Sequence, residues 1–87
     1  MWKFSKHILE RMSERNILSE EILSIVNLQI NVLIISSDKD ENIDLYFGKT
    51  NNKYILVLTN KISKNLITTR KMRKNEIKAY NEEMKHE

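Results

Sequence analysis

The chain has 87 residues with 15 Lys/Arg against 12 Asp/Glu, a net charge of +3, one glycine, no proline and no cysteine. That length makes a single domain, residues 1–87, large enough for a small core without covalent staples. The absence of cysteine excludes a disulfide framework, a thiol nucleophile and a Cys-based zinc centre, and a lone glycine excludes glycine-rich phosphate loops and dinucleotide fingerprints. A bound phosphate must then be held by side chains or by a helix N-terminus, and no metal or cofactor site is expected. The opening MWKFSKHILERMSERN has no apolar signal-peptide core, and the longest apolar run, 32–35, is far too short to span a bilayer. A cytoplasmic protein without membrane partners is the expectation.

Phe4, Ile8, Leu9 and Met12 recur at helical spacing, which predicts an amphipathic helix over 5–15 with Ser5 as N-cap. Asn16 suits the left-handed position after a helix, and Ile17 can make the accompanying hydrophobic contact. Ser19-Glu20-Glu21 reads as a serine cap and an acidic first turn for a second helix, which buries Ile22, Leu23, Ile25 and Val26. From Val32 the pattern becomes β: a strand over 32–36, a polar loop over 37–42, and a strand over 43–47. A turn over 48–52 and an apolar strand over 54–59 follow, the latter central because both its faces look buried. A last strand over 65–70 leads into a helix on which Ile77, Tyr80 and Met84 recur. The expected fold is α+β: two N-terminal helices, a four-stranded antiparallel sheet and a C-terminal helix, with the helices covering one face. Glu82, Glu83 and Glu87 read as a fraying acidic tail that includes His86, which is discounted.

Charge is concentrated where the last strand hands over to the last helix. Residues 61–80 hold seven Lys/Arg and one acid, Glu76, a local charge of +6 in a chain whose total is +3. Basicity confined to an ordered element points to a polyanion site more strongly than a high isoelectric point does.

The stretch LITTRKMRKNEIKAY resembles the closing motif of the BrnT toxin family, with Thr69 and Arg70 standing for its Ala-Arg, Glu76 for its glutamate and Tyr80 for its tyrosine. FGKTNNKYILVLTN is similar to that family's glycine turn and central strand. FSKHILERMSERNILSEEIL resembles a related small bacterial domain family with a His-x-x-x-Arg-x-x-x-Arg pattern on its first helix. Both families sit close to the RelE/ParE-like toxins. The resemblance runs from about Phe4 to Tyr80 and implies a RelE/BrnT-like fold and a toxin of a toxin–antitoxin system that cleaves messenger RNA. Where BrnT proteins end the first helix on Lys-His-Gly, this chain has Glu14-Arg15-Asn16, so a basic group stands there and the histidine does not.

Metal-independent RNA cleavage by attack of the 2′-OH requires a base, an acid and cations around the phosphorane. His7, Arg11 and Arg15 share one helical face at i, i+4 and i+8. Histidine is the residue type that exchanges protons near neutral pH, and arginines grip phosphate oxygens two at a time. The candidate catalytic set is His7, Arg11, Arg70 and Tyr80, with Arg15, Lys71, Arg73 and Lys74 binding RNA. A bland reading accompanies each. Glu10 and Glu14 can pair with the helix arginines, and Glu76 can partner Arg70 or Arg73. Lys71, Lys74 and Lys78 can be a solvated face, Tyr80 a core-edge residue, and Trp2 a lid on the core or a platform for a base.

Three functions remain open: an endoribonuclease toxin, a non-catalytic RNA- or ribosome-binding module of the same fold, and a protein-interaction domain. The expected partners are RNA, free or on the ribosome, and a cognate antitoxin. That antitoxin would present an acidic amphipathic helix to Arg11, Arg70 and Arg73, with aliphatic anchors near Ile8 and Met12.

Overall fold

A computed structural model describes residues 1–85; His86 and Glu87 lie outside the described residues. The elements are β1 (Lys3–Phe4), α1 (Lys6–Arg15), α2 (Ser19–Val26), β2 (Val32–Ser36), β3 (Ile43–Thr50), β4 (Lys53–Asn60), β5 (Asn65–Lys71) and α3 (Lys74–Met84). They form an α+β fold whose sheet has five strands in the order β1-β5-β4-β3-β2.

The helix pair forms where the apolar spacing placed it. Ser5 caps α1 by accepting the Ile8 N–H at 3.1 Å, and Asn16 ends it in the left-handed conformation (φ 55°, ψ 48°). Ile17 is buried immediately after. The cap of α2 departs from expectation. Leu18 occupies the cap position and Ser19 is already helical, because the Glu21 carboxylate reaches back to take the Leu18 N–H at 2.8 Å. This supplies the acceptor that the serine was expected to provide.

The sheet corrects the sequence reading twice. It is mixed rather than four-stranded and antiparallel, because Lys3 and Phe4 pair parallel with Asn65 and Leu66 along the outer side of β5. Phe4 therefore belongs to a strand, not to the helical stripe. The helices also cover both faces. Cross-strand partners share a face, so Tyr46, Val57 and Thr69 point one way, and Phe47, Leu56 and Arg70 the other. The first face packs with Ile8, Met12, Ile22, Ile25 and Val26 of α1 and α2. The second packs with Tyr80, Ile77 and Met84 of α3. β4 is central, with Ile55, Leu56 and Val57 all at 1 % exposure or less.

Gly48 was expected to turn the chain, but it lies inside β3. The turn is the Asn51-Asn52 pair, both at positive φ (52° and 63°), as a two-residue hairpin with correct twist requires. Gly48 is needed for packing instead. A Cβ there would stand 2.8 Å from the Ile25 side chain of α2. Trp2 is a lid on the core: its ring meets Tyr46 edge-on at 6.0 Å, with the Lys64 ammonium 5.0 Å from its centroid. Glu82 and Glu83, expected to fray, lie in α3.

Candidate nucleic-acid interface

β5 alternates between the two helical layers, and at its end this alternation sends Arg70 toward α3. Its guanidinium meets the Glu76 carboxylate at two points, Nη1–Oε1 2.8 Å and Nη2–Oε2 2.9 Å, and also donates to the Lys71 carbonyl at 3.1 Å. Glu76 in turn accepts the Arg73 N–H at 2.8 Å, closing the first turn of α3. One carboxylate thus fastens strand end to helix start. The Arg70 bonds, with the Arg73 N–H, hold the Glu76 carboxyl below its ordinary range despite partial burial, and the Glu76 bonds push Arg70 up. Of the two roles open to Arg70, the intramolecular one is occupied.

Beside this clasp stand cations that make no ion pair among the described residues. Lys71, Arg73, Lys74 and Lys78 are exposed. Lys49, at the end of β3, is also exposed and lies 5.0 Å over the Tyr54 ring. Lys53 begins β4 nearby, but Glu21 holds it at 3.0 Å. Glu21 is 1 % exposed. Burial alone would raise its pKa, yet the Leu18 N–H, the Asn51 amide and the Lys53 ammonium together hold it below the ordinary value. Lys53 also donates to the Asn16 carbonyl at 2.7 Å, and Ile55 two residues on pairs with Lys71. The C-terminal end of α1, with Arg15, therefore reaches the same end of the sheet as the basic corner.

The structure divides the residues singled out in the sequence. His7, Arg11 and Arg15 ride on α1, over one face; Arg70 and Tyr80 lie on the other, with the sheet between them. His7 is exposed near the start of α1, roughly 12 Å along the helix from Arg15 at 1.5 Å per residue. Glu14 holds Arg11 at 2.6 Å and lies 3.6 Å from Arg15, whose Nη1 is buried with no hydrogen bond among the described residues. Tyr80 is a core residue, 5 % exposed, whose hydroxyl donates to the Asn31 carbonyl at 2.9 Å and whose ring meets Tyr54 edge-on. Lys61 and Lys64 sit in the turn before β5, roughly 20 Å from Lys71 for a seven-residue strand, so the basic run does not form one patch.

Lys49 joins the basic end although it lies outside that run. The signal was there: in a meander the β3–β4 turn falls at the same end as the close of β5. Ile8 and Met12, near which an apolar rim was expected, are themselves buried in the first core, and Leu9 beside them is exposed. An apolar groove lies on the α3 face, lined by Leu33, Ile35, Phe47, Asn75, Glu76 and Ala79. Among the described residues no cluster of His, Cys, Asp or Glu could hold a metal ion, and no helix is long and apolar enough to cross a membrane. Comparison with protein-family models, with curated proteins and with solved structures gives no match for this chain.

Proposed function

We propose that this chain is an RNA-binding module that takes the phosphate backbone at the basic end of its sheet. One observation carries the reading: Lys49, Lys71, Arg73, Lys74 and Lys78 are exposed there, while two nearby acids, Glu21 and Glu76, are tied to Lys53 and Arg70. The free positive charge is thus left facing solvent on ordered elements, which is the electrostatic footprint of a polyanion site. RNA is the polyanion supported by the resemblance to the BrnT and RelE/ParE-like families.

Fluorescence anisotropy with single-stranded RNA tests it. Affinity falls with added salt at a log–log slope of about −0.7 per phosphate contact. Arg73→Ala and Lys74→Ala each weaken binding and flatten that slope, whereas Lys39→Ala, in the loop 37–42, does neither. Salt-independent affinity, or equal effects from all three substitutions, removes the site.

A second reading is a BrnT- or RelE-like ribonuclease toxin neutralised by an antitoxin. It is favoured by the exposed His7 imidazole, one helical turn from Arg11. Inducible expression in a bacterium, with RNA 5′ ends mapped, decides between the two. A ribonuclease arrests growth and produces new 5′ ends, and His7→Gln abolishes both while RNA affinity is kept. A binding module produces no new ends in either form.

A further inference from the structure

The two edges of the sheet are unlike. On one side β1 covers the start of β5 with two residues, and the open remainder of β5 carries Arg70 and Lys71. Short strands and charges are how sheet edges are kept from pairing. On the other side β2 has neither device. It is Val-Leu-Ile-Ile-Ser, without charge, proline or bulge, and Ile34 and Ile35 remain 42 % and 46 % exposed.

The backbone of this edge has a definite polarity. Ser37 donates its N–H to the Ile43 carbonyl at 2.9 Å. In an antiparallel ladder, hydrogen-bonded pairs alternate with non-bonded ones. Leu33 and Ile35 therefore turn their N–H and C=O groups toward β3, and Val32, Ile34 and Ser36 turn theirs outward. We propose that β2 pairs antiparallel with β2 of a second copy of this chain about a two-fold axis at Ile34, joining two five-stranded sheets into one of ten.

This register matches every outward group. Ile34 faces Ile34 of the second copy, Val32 faces its Ser36, and Ser36 faces its Val32, which makes six backbone hydrogen bonds between groups that otherwise meet only water. The side chains agree. Leu33 meets Ile35 of the second copy on the α3 face, extending the groove of Leu33, Ile35, Phe47 and Ala79. The two Ile34 side chains meet on the other face. Charge agrees as well. Ser37 comes opposite Asn31 of the second copy, so the loop 37–42, with Asp38, Asp40 and Glu41 against Lys39, lies toward its Lys49, one strand in from Asn31. A strand whose register is self-complementary in hydrogen bonds, apolar side chains and charge fits a second copy of itself.

Analytical ultracentrifugation of the full chain at increasing concentration tests this. Wild type shows a concentration-dependent doubling of mass, and Ile34→Lys stays monomeric with an unchanged circular dichroism spectrum. The register is read separately. With no cysteine in the chain, Ile34→Cys under oxidising conditions cross-links to a covalent dimer, and Ile62→Cys, also exposed and apolar, does not. A monomer at every concentration overturns the proposal and leaves the edge to a strand of a different protein. A dimer that persists in Ile34→Lys, or that cross-links equally through Ile62→Cys, overturns it too.

Discussion

Glu76 is the residue on which the strand-to-helix corner depends, and removing it separates a structural role for Arg70 from a ligand role. The Arg70–Glu76 side chains are 28 % and 17 % exposed and meet at two points. An exposed ion pair contributes roughly 0–1 kcal/mol, whereas breaking a buried one costs about 3–5 kcal/mol. A half-buried, two-point pair falls between, at about 2 kcal/mol. Glu76→Ala also deprives the Arg73 N–H of its acceptor, a capping loss of about 1 kcal/mol. The expected total of about 3 kcal/mol lowers the melting temperature by roughly 12–24 °C in a domain of this size. Thermal unfolding followed by circular dichroism at pH 7 measures it, with the exposed Glu83→Ala as control, expected within about 0.5 kcal/mol of wild type. Arg70→Ala costs less, about 1–2 kcal/mol, because Glu76 keeps the Arg73 N–H, and it lowers RNA affinity less than Arg73→Ala does. The reasoning fails if Glu76→Ala behaves like Glu83→Ala. It fails equally if Arg70→Ala abolishes RNA binding at unchanged stability, since Arg70 would then meet phosphate rather than Glu76.

Glu21 and Glu76 both carry pKa values lowered from about 4.5 by folding. Each therefore stabilises the fold above that value, and the stabilisation is lost as pH falls through the lower, folded-state pKa. Unfolding measured from pH 7 to pH 2 should show an acid limb beginning below about 4.5, and the Glu21→Gln/Glu76→Gln double variant should flatten it; an unchanged limb refutes the assignment. Gly48→Ala should cost about 1–3 kcal/mol, because the new methyl meets Ile25 at 2.8 Å in a packed core; a denaturant midpoint equal to wild type contradicts the close approach. Leu28 follows α2 at φ 57°, where its N–H and that of Gln29 bond back to the Ile25 and Ser24 carbonyls. Glycine suits that position, and Leu28 is 57 % exposed, so Leu28→Gly should stabilise the protein by about 0.5–1 kcal/mol in the same denaturant assay.

Much of the local structure was legible because its causes are local. The Ile8–Met12 spacing and the Ser5 cap were enough to start α1, and Asn16 was enough to end it, although Phe4, read into the same stripe, belongs to β1. The uninterrupted apolar run from Tyr54 to Leu58 marked β4 as central, since only a strand buried on both faces needs to be apolar at both parities. The position of the basic corner in the chain was legible too. What the sequence left open is decided by distance across the fold. Strand periodicity says which residues of β5 share a face with Arg70, but neither the register that sets Leu56 opposite it nor which helix lies on that face. Only the packing of α3 behind β5 puts Arg70 against Glu76 and puts the whole sheet between Arg70 and His7. The two-residue β1 carries too little pattern to be read, because it exists through pairing with Asn65 and Leu66 some sixty residues away. Ser19 looked like a cap by residue preference, yet Glu21 takes that role because Lys53 and Asn51 arrive from another hairpin to hold its charge. Glu76 was in view as a partner six residues from Arg70, but Glu21 and Lys53 stand 32 residues apart, and no local window of sequence contains both.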